Sequence, residues 1–230
     1  ARPGGGSGAA AGARGVKKVS QPSERPVVRE DDLRRLVKLA MQENDIDAAR
    51  LYVVAYTFMA RVKNEIVPLQ TRGEHSSTSV ERGRAVVYLA SRKNAPHGAE
   101  IARQCTCRAR PCRPCGVCAL GAVVQEHRDA WRGAARPLFG GKSFSARTAD
   151  LHRRAELLKL TAKGQPRVGW HAVRRGHAQD VLASGTTLSQ ILTAGGWKSM
   201  SFLAYLCRKD VDERASLEAA FAQSDSDVDD

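Results

Sequence analysis

Nowhere in this sequence is there an apolar run long enough to cross a membrane as a helix. The longest, Leu51 to Ala60, falls far short of the roughly 20 residues required. The N-terminus lacks the continuous apolar stretch of a secretory signal. No internal repeat is visible, which sets repeat arrays aside. The expectation that follows is an intracellular protein with reduced thiols. Acidic residues are also scarce, 24 Asp and Glu against 37 Lys and Arg, giving a formal charge of +13 and a pI near 9.9. Setting aside the four aspartates between Ser224 and Asp230 brings the remainder to about +17. Such an excess does not specify a fold. It does make a polyanion the first partner to consider, nucleic acid ahead of an anionic membrane.

At 230 residues there is room for one large domain or two small ones, and a hydrophobic fraction of 42% suffices for a core. Residues 1–25 are rich in Gly, Ala, Ser and basic side chains and are expected to form a flexible linker, because they cannot bury enough apolar surface to offset ordering. The first residue is Ala rather than Met, so the chain reads as a fragment of something longer. Asp31 or Asp32 is expected to cap a helix with the apolar stripe Leu33, Leu36, Val37, Ala40 and Met41. A second helix, about Asp47–Ala60, is apolar nearly all round and is predicted to be the central buried one. Ala85–Ser91 and Ala99–Cys107 read as strands flanking a hairpin loop at 94–98. Helical patterns follow at about Ala122–Ala135, Ala146–Leu160, His171–Ala183, Thr187–Ala194 and Ser199–Leu206. Gly185 and Gly195-Gly196 act as stops, and Thr187-x-x-Gln190 is a capping-box pattern. Acidic residues 221–230 are expected to be a disordered tail.

The most informative segment is Trp170–Leu206, WHAVRRGHAQDVLASGTTLSQILTAGGWKSMSFLAYL. His171 and Arg174 leave one helix face a turn apart. That pair suits a phosphate, since a guanidinium offers a bidentate fork and an imidazole a movable proton. Taken alone, His-x-x-Arg is more simply a solvated basic helix, and Tyr205, sharing a face with Phe202 and Leu206, an aromatic core residue. The order of elements reverses that weighting: His-x-x-Arg, then Gly195-Gly196, then Trp197, then Tyr205 eight residues on.

That order resembles the C-terminal half of the tyrosine recombinase (phage integrase) family. The wording RRGHAQD, GGWKS and FLAYL is closest to the recombinase domains of eukaryotic DIRS-like retroelements and related fungal and algal proteins. The resemblance covers about residues 27–220. It implies an α+β fold, mainly α-helical with a small antiparallel sheet, over a catalytic domain at 26–220. It also implies a family arginine after a buried helix, matched by Arg61 in MARVKNEIVPL, with Glu65 four residues on where the commoner spacing is three. A family lysine on a hairpin loop is matched by Lys93 in SRKNAPHG, with Lys63 and Lys142 as competitors off the hairpin. The resemblance assigns roles to these positions. Arg61 and Arg174 bind the non-bridging phosphate oxygens, where positive charge stabilises the transition state. Tyr205 attacks phosphorus, His171 manages its proton, Lys93 protonates the leaving 5′ oxygen, and Trp197 contacts the phosphate.

Five thiols lie close together in Cys105-x-Cys107-x4-Cys112-x2-Cys115-x2-Cys118, within an insert at 103–120. In a reducing compartment this density more often means metal than disulfide, and zinc takes four such ligands. Free thiols in a basic loop stand against a structural zinc site, for which Cys105, Cys107, Cys115 and Cys118 are the candidate set, with Cys112 spare. Arg103, Arg108, Arg110 and Arg113 suggest that the insert lies near DNA, and Cys207 is read as a packing residue.

The resulting expectation is a DNA cleaving and rejoining enzyme of a mobile element, working through a covalent 3′-phosphotyrosine. It needs no cofactor for catalysis and no nucleotide. Its partner is double-stranded DNA, on which it self-assembles, with no membrane partner and a nuclear location in a eukaryote. A non-catalytic DNA-binding remnant of such an element is the rival, and a type IB topoisomerase a more distant one.

Overall fold

The computed structural model describes residues 25–93, 95–107, 114–132, 135–161, 164–197 and 205–206. The expected linker, the acidic tail, Cys112, Cys207 and the insert arginines 108, 110 and 113 lie outside them, as does most of the expected helix Ser199–Leu206. The fold is mainly α with one small antiparallel sheet, as the sequence implies.

The centre is α2 (Ile46–Phe58), with nine of its thirteen residues buried, including Leu51, Tyr52, Val54 and Phe58. Asp45 caps it by accepting from Ala48 N. Against it pack α1 (Glu30–Gln42), α3 (Gly116–Trp131) and α5 (Trp170–Ala183). Among the described residues, α4 (Phe144–Leu157) and the shorter α6 (Leu188–Gly195) are the remaining α-helices. The capping box at Thr187 and Gln190 forms on α6, and Gly196 ends that helix at φ 65°.

Three expectations shift. The residue preceding α1 is Arg29, so Asp31 and Asp32 sit inside the first turn, where they favour the helix dipole rather than cap it. Met41 is 52% exposed, leaving Leu33, Leu36 and Ala40 as the buried stripe. Helix α3 starts at Gly116, six residues before the apolar pattern suggested, because Cys115 opens it from within the cysteine insert.

The sheet holds an unanticipated strand. β1 (Ser76–Glu81), β2 (Arg84–Leu89) and β3 (Ala99–Gln104) pair antiparallel in that order. On β2 the alternation is clean, with Ala85, Val87 and Leu89 buried. β1 reads SSTSVE and turns Ser76 and Thr78 inward, so hydrophobic periodicity does not reveal it. Thr78, Val87 and Ile101 lie in one row across the three strands. Arg103 falls in the next inward row, and its guanidinium donates to Thr57 O at 3.0 Å and Ala194 O at 2.8 Å. It thereby satisfies a terminal carbonyl of α2 that the helix itself cannot, and ties that end to α6.

α4 is anchored by Arg154, which is 2% exposed. It donates to Glu43 Oε2 at 2.8 Å, Tyr52 Oη at 2.9 Å and Asp45 Oδ2 at 2.7 Å, joining α4 to the α1–α2 turn. Removing one partner of a buried ion network costs about 3–5 kcal/mol, because the remaining charges stay desolvated. Arg154→Ala is therefore expected to lower the unfolding free energy by about that amount in denaturant melts. A loss below about 1 kcal/mol would mean that water already screens the network.

Candidate active site

Arg61 follows α2 after Met59, which takes a left-handed conformation at φ 47° and swings the chain out of the helix. Residues Val62–Ile66 then form a single wide π-helical turn, with Ile66 N and Val67 N bonded five residues back to Arg61 O and Val62 O. This turn returns the Glu65 carboxylate, four residues on, beneath Arg61. Glu65 Oε2 accepts from Arg61 N at 2.9 Å, and the Arg61 guanidinium lies 3.7 Å from Oε1.

Glu65 is only 3% exposed. Arg92, three residues past β2, grips it bidentately, Nε to Oε1 at 3.1 Å and a terminal nitrogen to Oε2 at 3.0 Å. The Arg92 guanidinium also lies against Gly196, where any Cβ would come within 2.5 Å of it. Glycine is thus required there twice over, by the positive φ and by the packed guanidinium.

His171 and Arg174 project from the first turns of α5. The helix is set in place by Gly176, whose Cα approaches the Val28 carbonyl so closely that a Cβ would sit 1.6 Å from its oxygen. Arg174 is 3% exposed and donates to Gly195 O at 2.5 Å. Its guanidinium stacks on the Trp197 ring at 4.4 Å and lies 5.4 Å from the Tyr205 ring centre. Tyr205 Oη is 3.1 Å from His171 Nδ1, and its ring is 5.1 Å from Trp197.

Five of the six residues expected at the site, Arg61, His171, Arg174, Trp197 and Tyr205, therefore share one neighbourhood. No contact among the described residues ties Lys93 to them. It is exposed on the β2–β3 loop, one residue past Arg92. Lys63, in contrast, lines a cavity of about 330 Å³ together with Arg61, His171 and Arg174. Its ammonium rests over the Phe144 ring at 5.8 Å. Lys142, the other competitor, is engaged by Asp45 and Asp150, both at 2.8 Å. Arg92, Arg175 and Glu65 are parts of the cluster that motif spacing did not single out as site residues; Arg175 lies 5.7 Å from the Tyr205 ring. A larger cavity, about 820 Å³ beside Trp131 and His127, contains none of these groups.

The electrostatics follow from crowding cations around one buried carboxylate. Burial, with Arg61 and Arg92 nearby, lowers the Arg174 pKa to about 10. His171 is held below the ordinary 6.5, first by desolvation and then by Arg174, Arg175 and Arg61. At neutral pH its ring is uncharged and able to accept the phenolic proton. A phosphoryl group placed in this cavity would meet guanidiniums and the N-terminal end of α5, both of which attract anions.

XerA recombinase superposes with a TM-score of 0.59 at 18% identity, over 87% of this chain and 66% of that one. XerH site-specific recombinase matches in its pre-cleavage complex with difH substrate, with a TM-score of 0.56 at 12% identity over 78% and 49%. It also matches in the post-cleavage complex with palindromic difH substrate, with a TM-score of 0.58 at 12% identity over 85% and 52%. The fold is that of tyrosine recombinase catalytic domains. No family model and no curated protein matches the sequence. The chain spans from about half to two thirds of the length of these recombinases.

An imidazole titration tests the geometry directly. By NMR, His171 is expected to titrate below 6.5, and Arg174→Gln should raise its midpoint by removing a neighbouring cation. A midpoint above 6.5, or one indifferent to Arg174, would place the two groups apart.

Proposed function

We propose that this chain cuts and rejoins double-stranded DNA through a covalent 3′-phosphotyrosine on Tyr205, as a tyrosine recombinase domain of a eukaryotic mobile element acting in the nucleus. The observation that carries the reading is the Tyr205 hydroxyl, 3.1 Å from His171 Nδ1, beside the buried Arg174 guanidinium. The fold shared with XerA and XerH adds to it.

In this mechanism the Tyr205 oxygen attacks phosphorus, and neutral His171 takes its proton. The bond from phosphorus to the 5′ oxygen breaks, and that oxygen leaves with a proton from a lysine. Arg61 and Arg174 hold the non-bridging oxygens, stabilising charge as it builds. Glu65 and Arg92 keep Arg61 and the glycine turn before Trp197 in position. The phosphotyrosine conserves the energy of the cleaved bond, so a 5′ hydroxyl from a second strand can reverse the step without a nucleotide or catalytic metal. Exchange between strands calls for several copies assembled on DNA.

Lys93 is the general acid in this reading, ordered on the hairpin loop by bound DNA. Lys63 is the second candidate, favoured by its place beside Arg61, His171 and Arg174.

The test uses nicked suicide duplexes built from the DNA flanking the protein's own gene, with no divalent cation added. Wild type is expected to form a covalent adduct. Tyr205→Phe should form none, and Arg174→Lys should lose about 100-fold or more, since a point charge cannot replace a bidentate fork. A 5′-bridging sulfur leaves without a proton, so it should rescue Lys93→Ala and do nothing for Arg174→Ala; rescue of Lys63→Ala instead would transfer the acid role. DNA binding by wild type without any adduct would make the chain a non-catalytic remnant.

A further inference from the structure

We propose that Cys105, Cys107, Cys115 and Cys118 hold one structural Zn²⁺, which staples the end of β3 to the start of α3. The four Sγ atoms all lie within 4.8 Å of one another. Neighbouring separations are 3.5 Å for Cys105–Cys118, 3.4 Å for Cys107–Cys118 and 3.7 Å for Cys105–Cys115. Those distances are too long for an S–S bond of about 2.05 Å. They approach the edge of about 3.8 Å set by four sulfurs arranged tetrahedrally around zinc at roughly 2.3 Å. Such mutual closeness of all four also fits a single ion better than a cluster, whose cysteines ligate separate irons.

The chain presents the thiols in pairs for reasons of local geometry. Cys105 and Cys107 are two apart on chain leaving a strand, so both side chains can face one side. Cys105 N donates to Gly83 O at 2.7 Å, which fixes the first of them against the β1–β2 turn. Cys115 opens α3 and Cys118 lies three residues on, so this pair shares one helical face. On binding, the thiols release their protons to solvent and the thiolates share the metal charge. With four ligands present the coordination is complete, which marks a structural site rather than a catalytic one.

The staple has a mechanical consequence for the rest of the domain. Arg103, two residues before Cys105, bonds the Thr57 and Ala194 carbonyls, close in sequence to Arg61 and Trp197 respectively. Metal at the cysteines therefore stiffens the strand from which Arg103 holds both segments. The metal site itself does not depend on the proposed reaction.

Elemental analysis of the purified chain, kept under reductant, should find one zinc per chain and no iron. One equivalent of Co²⁺ added to the metal-free chain should give the intense visible absorption of a tetrahedral thiolate site. Zinc should raise the melting temperature of that chain by at least about 5 °C. Cys118→Ser should lose the metal and Cys112→Ser should keep it. The Co²⁺ titration uses the unaltered sequence, so misfolding of a variant cannot account for its result. Substoichiometric metal, iron in place of zinc, featureless Co²⁺ spectra, or metal loss in Cys112→Ser would each overturn the assignment.

Discussion

A buried carboxylate among guanidiniums governs the arrangement of this domain. Glu65 is engaged by Arg92 on two oxygens and by Arg61 through both backbone and side chain, while Arg174 lies close enough to feel its charge. Removing Glu65 would leave buried cations facing one another, at a cost of several kcal/mol. Keeping it leaves the cluster cationic, because one negative charge cannot offset Arg61, Arg92 and Arg174. That residual charge would suit an anionic phosphodiester in the proposed reaction, and it adds to the burial that holds the His171 pKa down.

The same contacts define where the chain bends. The π-helical turn brings Glu65 beneath Arg61, Arg92 leans on Gly196, and Gly196 sets the path into Trp197. Helix α5 supplies His171 and Arg174 from a face locked by Gly176 on Val28. Arg103 then ties α2 and α6 to the strand that leads into the cysteines. The geometry of the candidate site and the integrity of the sheet are thus linked through a small number of arginines rather than through apolar packing alone.

Much of this was legible in the sequence, for identifiable reasons. The all-round apolar character of α2 signals a buried helix, and Thr187-x-x-Gln190 signals a cap, because each pattern has one dominant physical cause. The order of His171, Arg174, Trp197 and Tyr205 along the chain led to the expectation that they cluster, as they do. β1 was hidden because Ser76 and Thr78 take inward positions that apolar residues usually fill. Arg92 was overlooked because its partner is 27 residues away and nothing local distinguishes it from the neighbouring Lys93. The start of α3 was missed because its first turn is built from the cysteine motif instead of an apolar stripe. Long-range ion pairs and helix ends set by tertiary contacts leave no periodic trace.

In the proposed reaction one particular phenol does the chemistry, and the chain has only four tyrosines to choose from. Tyr52 and Tyr56 are buried in the core, and Tyr88 is on β2. The most direct measurement is to digest the DNA-linked protein with nuclease and trypsin and locate the residual nucleotide by tandem mass spectrometry. The account predicts a phosphoryl-linked nucleotide on the peptide Ser199–Arg208, at Tyr205 alone. A nucleotide found on any other tyrosine, or on a serine, would contradict it.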